Sequence, residues 1–191
     1  MDLTEQKEFK EVMLKYGFAK KILETEIEIL VQEYEFNNGY NPVEHIKSRL
    51  KSLESAKKKL IRRGYKVNVF ELIRHVHDML GIRIISSFVS DVYDMVKIIK
   101  SSKQFIVKSE SDYISNPKES GYTSYHLNVL VPIHLGERTE YIEAEIQIRT
   151  VAMDCWASLD HKLRYKLPKE IPDEIKYEIF ECANEMILLD K

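Results

Sequence analysis

Residues 140–150, EYIEAEIQIRT, alternate between polar and apolar side chains along nearly their whole length. This period of two is typical of a β-strand that lays one face on a hydrophobic core. The apolar face would carry Ile142, Ala144, Ile146 and Ile148. The polar face would carry Tyr141, Glu143, Glu145, Gln147 and Arg149. That second face is either the wet surface of a sheet or the floor of a binding site, and alternation alone does not choose between them.

The segments around this strand predict an α/β protein with a mixed β-sheet. Further strands are expected at 82–88, 105–110 and 125–133, the last forming a hairpin with 140–149. Helices are expected at 5–36, 43–63, 69–80, 91–102, 150–166 and 173–189. Asn41 and Pro42 suit the start of the helix at 43–63. We therefore expect one domain over residues 1–191, with helices on at least one face of the sheet and helical extensions at both termini.

Composition restricts the class of protein. Hydrophobic residues make up 44% of the 191 residues and charged residues 31%, which suits a globular chain with a substantial core. A net charge of -2 argues against a nonspecific nucleic-acid binder. Two cysteines without a CxxC motif favour a reducing compartment. With no signal peptide and no apolar run of about 20 residues, we expect a cytoplasmic protein without a membrane span.

A basic segment, SRLKSLESAKKKLIRR (48–63), is the first candidate for binding a ligand. As a helix it would place Lys51, Ser55 and Lys59 on one side, at steps of four residues, with Arg49 nearby. Such a row could align with a polyphosphate, because lysine and arginine donors match phosphate oxygens. A solvated basic helix face is the alternative.

A carboxylate and an arginine stand close together in HDMLGIRII (77–85). Asp78 is expected at a helix end and Arg83 early in the next strand, where the pair could hold Mg²⁺ and the phosphates it bridges. An ordinary helix-end aspartate and strand arginine are the alternative. The pair His77 and Asp78 also suggests a metal-dependent phosphohydrolase, but the sequence offers no convincing set of further ligands, which excludes that interpretation.

The loop SDYISNPKESGYTSYH (111–126) offers groups that suit a nucleotide. Gly121 permits close backbone approach, Tyr122 can stack, and Lys118 and His126 can meet phosphate. A sheet-edge loop with a structural tyrosine is the alternative.

The polar face of 140–150 completes the set of candidate groups. Burying Glu145 beside Gln147 and Arg149 is costly unless partners or a metal balance the charge. Two separated carboxylates, a basic helix, strand arginines and one aromatic platform together favour Mg²⁺-assisted phosphoryl-group transfer between two nucleotides.

Three stretches carry a family resemblance: HDMLGIRII, NPKESGYTSYHL (116–127) and EAEIQIRTVAMDCWASLDHKLRYK (143–166). Together they resemble the RelA/SpoT-type (p)ppGpp synthetase domain. The short chain and the ending WASLDHKLRYK look like the single-domain small alarmone synthetases, over about residues 40–167. The resemblance implies a nucleotidyltransferase-like synthetase fold. It also implies transfer of pyrophosphate from ATP to the 3′ oxygen of GDP or GTP, in the alarmone synthesis of the stringent response.

Site roles follow from the same resemblance. Asp78 and Glu145 would bind Mg²⁺, and Glu145 would help to deprotonate the attacking hydroxyl. The ATP side would consist of Arg49, Lys51, Ser55, Lys59 and Arg83. The acceptor side would consist of Tyr122, stacked on guanine, with Lys118, His126, Gln147 and Arg149. A homotetramer with contacts through the flanking helices (5–36 and 173–189) is also implied.

Two departures from the family pattern leave the choice among GMP, GDP and GTP open. Ser111 stands where many relatives have a basic residue, and Thr123 where many small synthetases have arginine. Two other functions also stay open. One is a toxic relative that pyrophosphorylates the 3′ end of tRNA, favoured by the basic residues of 57–63 and by Lys162, Arg164 and Lys166. The other is a non-catalytic nucleotide- or RNA-binding module, against which the two carboxylates speak.

Overall fold

The computed structural model describes residues 3–166 and 172–190, and within 164–166 the backbone only. This part of the chain forms six helices and five strands. The helices are α1 (Leu3–Asn38), α2 (Leu53–Arg62), α3 (Val69–His75), α4 (Val89–Ser101), α5 (Val151–Lys166) and α6 (Asp173–Leu189). The strands are β1 (His45–Leu50), β2 (Leu80–Ser86), β3 (Ile106–Asp112), β4 (Tyr125–Leu135) and β5 (Arg138–Thr150).

The five strands form one mixed sheet in the order β1-β2-β5-β4-β3. β2 and β5 are parallel, and the other neighbouring pairs are antiparallel. The predicted hairpin of β4 and β5 turns at Gly136, whose φ of 62° suits glycine. The predicted α/β fold with a mixed sheet is therefore what the chain adopts.

The core lies against the apolar face of β5, as the alternation predicts. Ala144, Ile146 and Ile148 are fully buried there. Helices α1 and α4 pack on this side of the sheet. Helix α1 buries one side along its length, at Phe9, Tyr16, Leu23, Ile27 and Leu30 among others. None of the helices in the described part combines the length and apolarity that crossing a bilayer requires.

The predicted helix at 43–63 is wrong in its first half. Residues 45–50 form an edge strand, because their backbone pairs with β2, and only residues 53–62 are helical. Asn41 accepts a hydrogen bond from the backbone N–H of Val43 in a local turn, and Ser52 caps the helix instead. Ile46, Leu50, Leu53 and Leu60 fit a helical stripe by spacing, so periodicity could not separate the strand from the helix.

The predicted helix at 69–80 is too long. It ends at His75, and the strand expected at 82–88 begins two residues earlier, at Leu80. Gly81 thus lies inside β2, opposite Glu145 on β5. Asp78 stands in the turn between the two elements, which leaves its side chain at the mouth of the strand.

A second, smaller hydrophobic cluster lies away from the main core. It consists of Trp156 on α5 with Ile179 and Ala183 on α6, and Tyr122 packs against it. The residue range predicted for the synthetase core reached 167, which lies outside the described residues.

Candidate active site

The polar face of the sheet is continuous across four strands. Strand register aligns Arg49, Gly81, Glu145 and Asn128 in one row, and Lys47, Arg83, Gln147 and His126 in the next. Residues paired across a sheet point to the same face, so these side chains form one floor. A cleft of about 520 Å³ opens above β1, β2 and β5. It is lined by Lys47, Ser48, Arg49, Lys51, Asp78, Gly81, Ile82, Arg83, Glu145 and Gln147.

Asp78 is held by two lysines at one end of this cleft. Lys51 Nζ lies 2.8 Å from Asp78 Oδ2, and Lys59 Nζ lies 2.8 Å from Asp78 Oδ1. Burial acts to raise the pKa of Asp78, but the hydrogen bonds and charges of Lys51 and Lys59 outweigh it and lower that pKa to about 2. Asp78 is therefore ionised at neutral pH.

The predicted row of Lys51, Ser55 and Lys59 along one helix is wrong, although two of its members meet. Lys51 precedes α2, where its backbone N–H donates to Met79, and Lys59 reaches Asp78 from the last turn of the helix. The strand–turn–helix geometry thus brings both ammonium groups to one carboxylate. Ser55 sits in the first turn of α2, where its hydroxyl accepts a hydrogen bond from the hydroxyl of Ser52.

Glu145 lies further along the floor and is bonded at both oxygens. His126 Nδ1 is 3.1 Å from Glu145 Oε1, and Gln147 Nε2 donates to Oε2 at 2.8 Å. Burial acts to raise the pKa of Glu145, yet these two partners outweigh it and lower the pKa. The carboxylate is therefore ionised at neutral pH.

A directed chain of hydrogen bonds leads to Glu145. Arg149 donates to the hydroxyl of Tyr122, which lies 2.8 Å from His126 Nε2. Since a guanidinium can only donate, the Tyr122 proton is free to point at Nε2, which leaves the Nδ1–H of His126 for Glu145. Four of the predicted site residues are thereby ordered as one unit.

Arg149 is buried, with 4% of its surface exposed, and its charge is met by Asp154. Asp154 Oδ1 accepts from Arg149 Nη1 at 3.2 Å and from Arg83 Nη1 at 2.8 Å. Asp154 was not predicted from the sequence. The signal available was a carboxylate in the first turn of the helix that directly follows the strand, but its second partner is 71 positions away.

The aromatic platform is partly exposed and carries cations. Lys118 Nζ lies 5.0 Å from the centre of the Tyr122 ring and 4.3 Å from that of Tyr113, while Arg149 Cζ lies 5.1 Å from the Tyr122 ring. Tyr113 is not among the predicted site residues, although it directly follows β3 in the same loop. Tyr113 and Lys118 also line an open depression of about 570 Å³, together with residues 116, 117, 119 and 120. The loop therefore offers rings and an ammonium group side by side.

Glu143 lies on the same polar face as Glu145 but has different ion-pair partners. Its oxygens meet His77 Nδ1 at 2.9 Å and Lys108 Nζ at 3.1 Å. These partners satisfy the carboxylate at the edge of the floor. Glu143 is therefore engaged in ion pairs of its own, separate from those of Glu145.

A divalent cation fits the two carboxylates of the cleft, provided that a substrate shares it. No group of three or more His, Cys, Asp or Glu side chains suited to a metal occurs in residues 3–166 and 172–190. Asp78 and Glu145 nevertheless line one cleft and interact electrostatically. Mg²⁺ usually takes one or two protein carboxylates together with waters and substrate phosphates, which matches this donor set.

Comparison with known proteins identifies relatives over nearly the whole chain. A family model described as "Region found in RelA / SpoT proteins" matches residues 48–170. The GTP pyrophosphokinase YwaC of Bacillus subtilis is 44% identical over 188 residues, which cover 98% of this chain and 90% of that relative.

Two solved structures from the same organism share the fold. The crystal structure of small alarmone synthetase 2 aligns with a TM-score of 0.85 at 46% identity, covering 95% of this chain and 94% of that one. Small alarmone synthetase 1 bound to its product pppGpp aligns with a TM-score of 0.85 at 32% identity, covering 96% and 93%. The predicted fold class is confirmed by both.

Proposed function

The chain belongs to the RelA/SpoT family, as its motifs predicted, and from that premise we propose that it is a GTP/GDP pyrophosphokinase. It would transfer pyrophosphate from ATP to the 3′ oxygen of GDP or GTP, releasing AMP and an alarmone. One observation carries the proposal: a single cleft combines two ionised carboxylates with a set of cations, and a bonded tyrosine–histidine unit adjoins it through Glu145.

The donor ATP is assigned to the β1–α2 end of the cleft. Arg49 and Arg83 would hold the nucleotide, with Lys51 and Lys59 on its phosphates and Ser55 at the start of α2. Both lysines now bond Asp78. Triphosphate oxygens are stronger partners for two ammonium groups than one carboxylate is, so we expect ATP to draw the lysines away from Asp78.

Asp78 and Glu145 are the residues that would hold Mg²⁺. When bound, the ion would offset the negative charge of the phosphates of both nucleotides. Release of the lysines from Asp78 by ATP would free oxygens of that carboxylate at the same time.

The acceptor nucleotide is assigned to the Tyr122 end. Guanine would stack on the Tyr122 ring, with Lys118 nearby and with Gln147 and Arg149 ordering the floor. Glu145 would take the proton of the 3′-hydroxyl, and His126 holds that carboxylate in place. A bond forms between the 3′ oxygen and the β-phosphorus of ATP, while the bond from that phosphorus to the oxygen bridging the α-phosphate breaks, so AMP leaves with the electron pair.

We also propose a cytoplasmic homotetramer with contacts through the flanking helices. Both helices expose large apolar side chains, which supports this arrangement. On α1 these are Leu14, Phe18 and Ile29, and on α6 they are Tyr177, Phe180 and Leu188. The native mass in solution would test it, and a monomer would contradict it.

A second candidate activity, pyrophosphorylation of the tRNA 3′ end, is favoured by the exposed basic end of α2. Arg62 and Arg63 are solvent-exposed there. Lys162 is exposed as well, whereas the side chains of Arg164 and Lys166 lie outside the described residues. A non-catalytic binding module is disfavoured, because a protein that only binds phosphates gains little from Asp78 and Glu145 facing them.

A product assay tests these proposals together. Purified protein is incubated with Mg²⁺ and labelled ATP and, in parallel, with GMP, GDP, GTP or deacylated tRNA. We expect label on a guanine nucleotide, with AMP released in equal amount, and the rates rank the acceptors. Label on tRNA alone would replace the proposal by the second activity, and binding without transfer would favour the binding module.

A further inference from the structure

Helix α6 lies beyond the 48–170 region matched by the family model, yet it touches the loop that carries Tyr122. The contact is unusually close at Gly121, which has a φ of 84°. A Cβ atom built there would stand 2.5 Å from Ala183 Cβ, a separation that real side chains do not tolerate. Only glycine, facing a small residue, permits the loop and the helix to approach this closely.

Trp156 links the same helix to the tyrosine from a second direction. Its indole N–H donates to the backbone oxygen of Ile179 at 2.9 Å, and its ring centre lies 6.4 Å from that of Tyr122. Trp156 is only 3% exposed because α6 covers it. The docked helix therefore packs behind Tyr122.

The loop is also tied down from within and from the front. The N–H of Gly121 donates to the oxygen of Lys118 at 2.8 Å, and that of Lys118 donates to the oxygen of Tyr122 at 3.1 Å. Arg149 and His126 hold the Tyr122 hydroxyl on the side of the sheet. The ring is thus fixed between the sheet floor and α6.

We infer that docking of α6 through Gly121, Trp156 and Ala183 sets the position of Tyr122 and thereby the affinity for the acceptor nucleotide. These three are positioning residues, since they act through Tyr122. The inference rests on the proposed function, because it takes Tyr122 to be the surface on which guanine stacks. Undocking α6 would weaken the acceptor site and leave the ATP end unchanged.

The test compares the native protein with Gly121→Ala. We expect the KM for GDP, and its Kd measured by calorimetry without ATP, to rise on the order of tenfold, because a displaced stacking surface loses most of its contact. The KM for ATP should stay the same. Trp156 is the one tryptophan of the sequence, so a red shift of its fluorescence reports the exposure that follows undocking.

Gly39→Ala is the matched control. Gly39 has a φ of 77° and nothing within 4 Å of its added Cβ, so the substitution brings the same backbone strain without a clash. It should leave the GDP constants and the emission unchanged. Ala183→Gly in the Gly121→Ala background removes the opposing Cβ and should restore most of the GDP affinity, which a merely destabilised loop would not regain.

Ala183→Val introduces the clash from the helix side and keeps the test valid if Gly121→Ala does not fold. A red-shifted emission with an unchanged KM for GDP would overturn the inference, as would an equal rise in both KM values without rescue. A native protein that binds GDP but transfers nothing overturns the proposed function alone, since the Kd comparison still tests the role of α6.

Discussion

The two ends of the site, proposed above for the donor and the acceptor nucleotide, are built differently. At the donor end, two lysines and one aspartate make a simple ion-pair cluster, and the Asp78 side chain is 37% exposed. At the acceptor end, Arg149 is 5% exposed at its side chain and bonds to four neighbours, Ser124, Tyr122, Gln147 and Asp154. The proposed acceptor end is ordered without a nucleotide, whereas at the proposed donor end ATP would have to displace existing ion pairs.

This contrast suggests a division of labour. Preorganised groups contribute most where geometry controls the reaction, and in the proposed mechanism they would hold Glu145 as the base. Exchangeable ion pairs suit the binding of a highly charged donor, because one set of charge partners replaces another. Substitutions at the two ends should therefore have effects that differ in kind as well as in size.

The largest effect is expected for Glu145→Gln, where the two ends meet. The amide cannot accept the proton, so kcat should fall by at least about a hundredfold, as for loss of a general base. The thermal midpoint should remain near that of the native protein. Glu143→Gln is the control, two positions away on the same face, and should retain activity; full activity of Glu145→Gln would remove this residue from the chemistry.

Among substitutions at the acceptor end, Asp154→Ala should lower the free energy of unfolding most. It leaves the buried guanidinium of Arg149 without its carboxylate, and breaking such a pair costs about 3 kcal/mol. Urea unfolding measures the loss. Asp173→Ala removes a carboxylate that is 97% exposed beside Lys176, and it should leave the urea midpoint unchanged. Equal midpoints for the two variants would mean that Asp154 does not balance the buried charge.

Arg49→Ala should affect the donor end alone. Loss of one charge-assisted phosphate contact is expected to raise the KM for ATP about tenfold, with the KM for GDP unchanged. Steady-state kinetics with each substrate varied in turn make the comparison. Arg138→Ala, at an arginine side chain that is 67% exposed on the hairpin, should change neither value. A larger rise for GDP would show that the two ends had been assigned in reverse.

The smallest effect concerns the end of α6. Burial raises the pKa of Asp190, although its hydrogen bond from Thr150 opposes the shift. A carboxyl group that binds its proton more tightly when folded gains stability as the pH falls through its raised pKa. Asp190→Asn should therefore be slightly more stable than the native protein at neutral pH. The difference should vanish on acidification, and a constant difference across pH would exclude this cause.

Much of the fold follows from patterns that the sequence displays directly. The alternation in 140–150 predicts β5 and its buried face, and the spacing of apolar residues predicts α1 and α6. The edge strand β1 was missed, since its identity depends on pairing with β2 rather than on its own residues. Tertiary pairing decides between helix and strand where an apolar spacing fits both.

The candidate site shows the same limit. Motifs singled out Asp78, Glu145 and Tyr122, and the structure brings them to one face of the sheet. Asp154 could not be predicted, because its importance arises where two arginines from different strands meet it. The contact between Gly121 and Ala183 is likewise invisible in sequence, since it depends on how closely a helix packs on a loop.

The parallel pairing of β2 with β5 has a consequence for biosynthesis. Gly81 is synthesised before Glu145, its partner across the sheet. The two cannot pair until α4, β3 and β4 have also been made. Contacts between distant segments form slowly, and chains emerge from the ribosome at only about 5–20 residues per second. A nascent chain ending before β5 would therefore contain Asp78 and its two lysine partners, but not Glu145, the second carboxylate of the cleft. Pulse-labelled chains should gain catalytic competence only after the last strand is translated.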